Sequence, residues 1–171
     1  FPVREPMLAS GKVHAITGYS FSSFINLASK GVPEEDISLM LMSDYGLKLY
    51  GNAVIVNTDF ASSNPSLVKS FLAQTIKGMK EMINDPESSI PYVLKYNKIA
   101  KAKTETTRLK MAIRDNILTN AVKENGIGSV DMNRLNDSIK QLSETYKFKN
   151  KITGSQVFDD SYLPETFKRK L

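Results

Sequence analysis

The chain contains no cysteine, no tryptophan and a single histidine, His14. Those gaps exclude disulfide cross-links, thiolate zinc sites and cysteine nucleophiles, and with them any mechanism or metal centre that needs two histidines. Apolar runs such as Ala53–Val56 fall far short of the roughly 20 residues a membrane-spanning helix requires. Neither a Gly-X-Ser-X-Gly elbow nor a Gly-Lys-Ser/Thr phosphate loop occurs. An initiator methionine and a charged-then-apolar leader are also missing. The opening Phe1-Pro2-Val3-Arg4-Glu5-Pro6 reads as the interior of something longer, so the chain is expected to be processed or to be a piece of a larger protein.

What is present describes a foldable domain. Of 171 residues, 41% are hydrophobic and 24% charged, a balance that can bury a core and excludes wholesale disorder. The net charge of +5 is uneven: residues 1–50 carry −1 and residues 51–171 carry +6. Lysine supplies 18 of the 23 cations, and lysine is the ordinary solvated-surface cation rather than the planar reader of phosphate or guanine. The densest stretch, Lys95 to Arg114, sets seven basic residues against Glu105 alone. It reads as a wet helix-and-loop surface in preference to a nucleic-acid face.

Three segments have strand character: Val13–Thr17, Ile37–Met42 and the uninterrupted β-branched Ala53–Val56. Between and after them the pattern turns helical. A short helix ends at Gly11, and another runs from Ser20 to about Ser29, stopped by Gly31 and Pro33. Asn64-Pro65 opens a long helix whose stripe is Leu67, Val68, Phe71, Leu72, Ile76, Met79 and Ile83. Asp85-Pro86 opens the next, to about Tyr96. Two further helices are expected over Thr104–Lys123 and Asp131–Tyr146, the latter with Met132, Leu135, Ile139, Leu142 and Tyr146 on one side, followed by a loop-like tail. These stripes are expected to face a core. The class expected is α/β with a thin sheet and a helix-rich second part.

The stretch Tyr50-Gly51-Asn52-Ala53-Val54-Ile55-Val56-Asn57-Thr58-Asp59-Phe60, followed by Asn64-Pro65-Ser66-Leu67-Val68-Lys69-Ser70-Phe71-Leu72, resembles the solute-binding proteins of bacterial ABC importers for nitrate, sulfonates, taurine and thiamine-pyrimidine precursors. Lys77-Gly78, Asp85-Pro86, the segment Leu8–Ala15 and the closing Phe158–Pro164 are similar to that family too. His14 departs from it, standing where the family usually has aspartate. The resemblance implies a partial type II periplasmic-binding-protein fold with the N-terminal half of the parent missing. On that alignment residues 1–50 are the end of lobe two with the returning crossover near Leu49–Ala53, and residues 51–171 are the helical C-terminal part of lobe one. It also implies an ABC permease as partner and a periplasmic or extracytoplasmic, lipid-anchored parent protein.

A cleft binder needs convergent polar groups backed by aromatic walls. The loop Thr17-Gly18-Tyr19-Ser20-Phe21 has that make-up. Thr17 and Ser20 offer hydroxyls, Gly18 permits close backbone approach, and Tyr19 or Phe21 can stack on a planar ring. The start of the following helix would favour an anionic group. Against this stands a plainer assignment, Phe21 as a core anchor and Tyr19 as a rim residue. Tyr45, Tyr50 and Asn52 near the crossover complete the expected ligand-binding set, although tyrosine at a hinge is often only packing. His14 reads as a hydrogen-bonded structural residue, Asp159-Asp160 as solvated carboxylates, and Gly126-X-Gly128 as something other than a dinucleotide fingerprint, because it follows a helix. No catalytic residue, metal or cofactor is expected.

Three functions compete. Capture of a small nutrient between two lobes, without turnover, fits the resemblance. A thiamine-pyrimidine synthase related to the same family carries a cysteine-rich motif before the apolar strand, where Gly46–Tyr50 has none. A nucleic-acid binder would rest on 95–114 alone. Half a cleft can instead pair with itself or with another copy, so self-association is the remaining expectation.

Overall fold

The computed structural model describes residues 3–171; the first two residues of the Phe1–Pro6 opening lie outside them. Ten α-helices order the described residues: α1 (Arg4–Ala9), α2 (Ser20–Ser29), α3 (Thr58–Ser63), α4 (Pro65–Asn84), α5 (Pro86–Tyr96), α6 (Ala102–Ala112), α7 (Asn120–Asn125), α8 (Met132–Thr145), α9 (Gly154–Val157) and α10 (Thr166–Arg169). The chain divides into two compact units. The first comprises the chain up to Asp44 together with Met82–Leu118; the second comprises Tyr45–Glu81 and Thr119–Leu171.

Local chemistry accounts for several boundaries. Gly11 and Gly31 take φ of 70° and 88°, the left-handed conformation that ends α1 and α2 at little cost only for glycine. Asp85 accepts the Ser88 N–H at 3.3 Å, and Asp131 the Arg134 N–H at 2.9 Å, so α5 and α8 start where sequence places them. Asn64, expected as the cap of α4, turns its amide backward and donates to the Phe60 carbonyl at 3.1 Å.

The expected α/β class needs correcting: no strand forms among the described residues. Val13–Thr17, Ile37–Met42 and Ala53–Val56 have strand composition, but a strand exists only through a ladder with a non-local partner, and composition cannot supply one. His14 accordingly lies exposed on irregular backbone rather than inside a sheet. The expected helix over Thr104–Lys123 is also broken. After α6 the ladder widens into a π-turn, Ile113–Ile117. The chain then leaves helical geometry at Leu118, and Thr119 caps α7 by accepting the Val122 N–H at 3.3 Å.

In the first unit, α2 packs on α6 and α1, and α5 packs on α6. Ile25, Leu27, Ile90, Met111 and Ile113 are buried there. In the second unit Ala61, Val68, Ile76 and Ile127 are buried, and α8 lies against α9. The stripes are less enclosed than their periodicity implies: Leu67 and Phe71 of α4 are each 57% exposed, and Tyr146 is 59% exposed. An anchor of another kind closes the second unit. Buried Arg169 donates to the carbonyls of Pro164 and Ile127 and to the hydroxyl of Ser129, each at 2.8 Å. The Gly126-X-Gly128 turn, whose glycines both have positive φ, wraps this clasp, and the Ile127 N–H returns a bond to the Arg169 carbonyl at 3.0 Å.

Candidate functional site

The loop between α1 and α2 borders an open depression of about 400 Å³ in the first unit, lined by Arg4, Met7, Val13, Ala15, Ile16 and Thr17. Its wall is apolar apart from the guanidinium of Arg4 and the hydroxyl of Thr17. Arg4 also donates through Nη1 to the Thr17 carbonyl, which ties the far end of the loop back to α1.

Each loop residue expected to meet a ligand has a defined place. Gly18 packs onto Ser23: a β-carbon there would collide with the Ser23 hydroxyl. That hydroxyl donates to Glu5 at 2.9 Å, and Glu5 is only 6% exposed. A bond to its own backbone N–H is the main cause holding the Glu5 carboxyl below the usual range; burial opposes this and Ser23 assists it. Tyr19 and Phe21 stack with ring centroids 5.2 Å apart and planes 22° from parallel. Tyr19 is 52% exposed and Phe21 half-buried rather than part of the buried core, so the pair presents an aromatic face to solvent.

Ser20 is buried, and its hydroxyl donates to Asp115 Oδ2 at 2.6 Å. Asp115 thus brings a carboxylate to the first residue of α2, the end of a helix where negative charge is stabilised. Arg114 clamps the same carboxylate through Nε at 2.5 Å and Nη2 at 3.0 Å. Hydrogen bonding from Arg114 is the largest cause holding the Asp115 carboxyl below its ordinary value, opposed by burial and helped by Ser20. The anionic group expected at the start of α2 is therefore furnished by the chain itself. On the same first turn of α2, Arg108 Nη1 donates to the Phe21 carbonyl at 3.0 Å.

Tyr45, Tyr50 and Asn52 fall in the second unit. Tyr45 is 70% exposed at the end of a 3-10 turn, Met42–Tyr45, and Asn52 is exposed as well. Tyr50 is engaged: the Arg134 guanidinium lies over its ring at 4.3 Å, and its hydroxyl accepts the Asp131 N–H at 2.8 Å. Arg134 also donates to the carbonyls of Lys48 at 2.8 Å and Leu49 at 3.0 Å. The result is a staple that pins residues 48–50 to the start of α8.

The remaining motifs read plainly. In the 95–114 segment Lys110 pairs with Glu87 at 2.5 Å, Arg108 with Glu105 at 3.2 Å, and Arg114 with Asp115, so its field is partly neutralised. Asp159 accepts the Ser161 N–H at 2.9 Å. No group of three or more His, Asp or Glu side chains is arranged to hold a metal ion among the described residues, and no helix among them is long and apolar enough to cross a membrane.

A family model described as NMT1/THI5 like matches residues 3–89, which takes in the 17–21 loop, the depression and the Tyr50–Phe60 stretch. The chain belongs to the NMT1/THI5-like family. The family is one of solute-binding proteins in general and implies a periplasmic-binding-like fold, whose strands do not form among the described residues. No curated protein and no solved structure matches the chain. Asp115, Arg108 and Arg134 lie outside the matched residues and went unread in the sequence. Each acts across more than 80 positions, a separation at which no local spacing signals a contact.

Proposed function

We propose that this NMT1/THI5-like chain is the solute-recognition part of an ABC importer. It would take up a small nutrient of the pyrimidine-precursor, sulfonate, taurine or nitrate class, hold it by closure of two lobes and hand it to a membrane permease outside the cytoplasm. Residues 1–50 and 51–171 would contribute to lobe two and lobe one respectively. Binding without turnover is the chemistry this asks for: the ligand stabilises a closed state by contacts it lacks in the open one.

The observation that carries the reading is the stacked Tyr19–Phe21 pair, on the loop that borders an apolar depression and inside the family-matched segment. Within the solute classes, a planar heterocycle is favoured. An aromatic face presents area for stacking on such a ring, worth about 1 kcal/mol beyond burial. The start of α2 already holds the Asp115 carboxylate, which opposes a second anion there and weighs against nitrate or a sulfonate at that helix end. Thr17, Gly18 and Ser20 then serve to shape the loop, and Tyr45, Tyr50 and Asn52 remain candidates on the second unit.

The test is a thermal-shift and calorimetric screen of the longest available form of the protein against aminopyrimidines, taurine, alkylsulfonates and nitrate. Aminopyrimidine binding that weakens about tenfold in Tyr19→Ala, as loss of one stacking contact implies, supports the assignment. Stabilisation by nitrate or sulfonate alone, unaffected by Tyr19→Ala, refutes the heterocycle preference. No stabilisation by any of the four classes refutes solute capture.

A further inference from the structure

Asn125 stands directly before the Gly126-X-Gly128 turn, and Asn125-Gly126 is the single Asn-Gly pair in the chain. Such a pair carries chemistry of its own. The glycine backbone nitrogen attacks the asparagine Cγ, a C–N bond forms and ammonia leaves. Water then opens the resulting succinimide to aspartate or isoaspartate. Glycine in second place favours the attack because no side chain shields its nitrogen. Here the fold demands that glycine. Gly126 has φ 83° and ψ 163°, a backbone region open essentially to glycine alone. A β-carbon on it would meet Arg169 Cβ at 3.0 Å and the Arg169 carbonyl carbon at 3.1 Å.

The attack requires the 125–126 peptide plane to turn until its nitrogen faces Cγ, and the structure pins that plane on both sides. The Gly126 N–H donates to the Val122 carbonyl at 2.8 Å. The Asn125 carbonyl accepts from the Ser129 hydroxyl at 2.5 Å. That hydroxyl in turn accepts from Arg169 Nη1 at 2.8 Å, so the guanidinium holds the peptide through one intermediate group. We infer that Asn125-Gly126 is a deamidation site kept closed by the Arg169 clasp, and that modification there makes an opening of the clasp permanent. Isoaspartate lengthens the backbone by one methylene beside a glycine packed this closely, which displaces Ile127 from its paired bonds with Arg169. Water is the one co-reactant the step needs. The inference is independent of which solute the protein takes.

Peptide mapping of the 171-residue chain, folded and in urea, after incubation at mildly alkaline pH measures aspartate and isoaspartate at position 125. Ammonia release is a second readout. Folded wild type should react at least about tenfold more slowly than the chain in urea, because reaction must await local opening. Arg169→Lys keeps the charge but loses the planar fork that reaches several acceptors at once, so it should react several-fold faster than wild type while still folded by circular dichroism. In wild type, rising sub-denaturing urea should speed the reaction in step with hydrogen exchange at the Gly126 amide. That series carries the test should Arg169→Lys not fold. Asn125→Gln, whose longer side chain closes the corresponding ring poorly, should stay unmodified with the clasp intact. Purified isoaspartate protein should exchange faster at the Ile127 amide. Folded wild type reacting as fast as the chain in urea, a folded Arg169→Lys no faster than wild type, a rate that ignores Gly126 exchange, or a modified chain with unchanged Ile127 exchange would each overturn the inference.

Discussion

Replacing Asp115 tests whether the first turn of α2 is anchored by charge from a distant segment. The carboxylate is nearly enclosed, with 4% side-chain exposure, while Arg114 is 66% exposed. Its two kinds of partner should therefore differ in worth. The part-buried bond from Ser20 at 2.6 Å is charge-assisted and worth about 1.5–3 kcal/mol. The carboxylate's position at a helix start adds about 0.3–1 kcal/mol. The exposed guanidinium contributes less than about 1 kcal/mol despite its short contacts, because water screens it and its ordering costs entropy. Asp115→Ala should accordingly lower the unfolding free energy by about 2–4 kcal/mol, and Asp115→Asn by less, since the amide oxygen still accepts from Ser20. Urea titrations of two double-mutant cycles separate the contributions. The coupling of Ser20→Ala with Asp115→Ala should be about 1.5–3 kcal/mol, and that of Arg114→Ala with Asp115→Ala below about 1 kcal/mol. An Arg114 coupling larger than the Ser20 coupling would refute the reasoning, as would a Ser20 coupling under about 0.5 kcal/mol.

The same cluster gives a pH dependence. The Glu5 and Asp115 carboxyls are held below their ordinary values of 4.5 and 3.8, so their contribution is fully present above those values. It is lost as pH falls through the lower folded-state values. Wild type should therefore lose stability below about pH 4, and Asp115→Asn, weaker at neutral pH, should show a flatter decline, readable by thermal melts across pH 2.5–7 as an estimate from linkage. Gly18→Ala should cost about 1–3 kcal/mol by driving a methyl into the Ser23 hydroxyl that serves Glu5, and adding Ser23→Ala should recover part of the loss. Arg134→Ala should cost about 2 kcal/mol and raise amide exchange at residues 48–50, because two carbonyl contacts and the Tyr50 stack go together.

Local grammar was readable where it decided the outcome. The span of α2 and the starts of α5 and α8 follow from glycine, proline and acidic caps at fixed offsets, and the structure places them accordingly. What failed was strand pairing, and in part the expected cover over the α4 stripe. Val13–Thr17 and Ala53–Val56 have strand composition, but pairing is a property of two segments and neither forms a ladder. Leu67 and Phe71 repeat at helical spacing, yet spacing gives a face and not what covers it. The loop at 17–21 was visible as chemistry through its hydroxyl, glycine and aromatic residues. That Ser20 would be taken by Asp115 and Ser23 by Glu5 was not, because those contacts are set by the docking of α6 with its π-turn and of α1 onto α2.

The Arg169 clasp bears on how the molecule comes into being. Synthesis proceeds from the N-terminus at a pace slow beside helix formation, so Met82–Leu118 emerges and can dock on the earlier part of its unit while the rest is still being made. The Ile127 carbonyl has to wait for a guanidinium 42 residues further along. All segments of the first unit are therefore synthesised before the Arg169 clasp of the second can close.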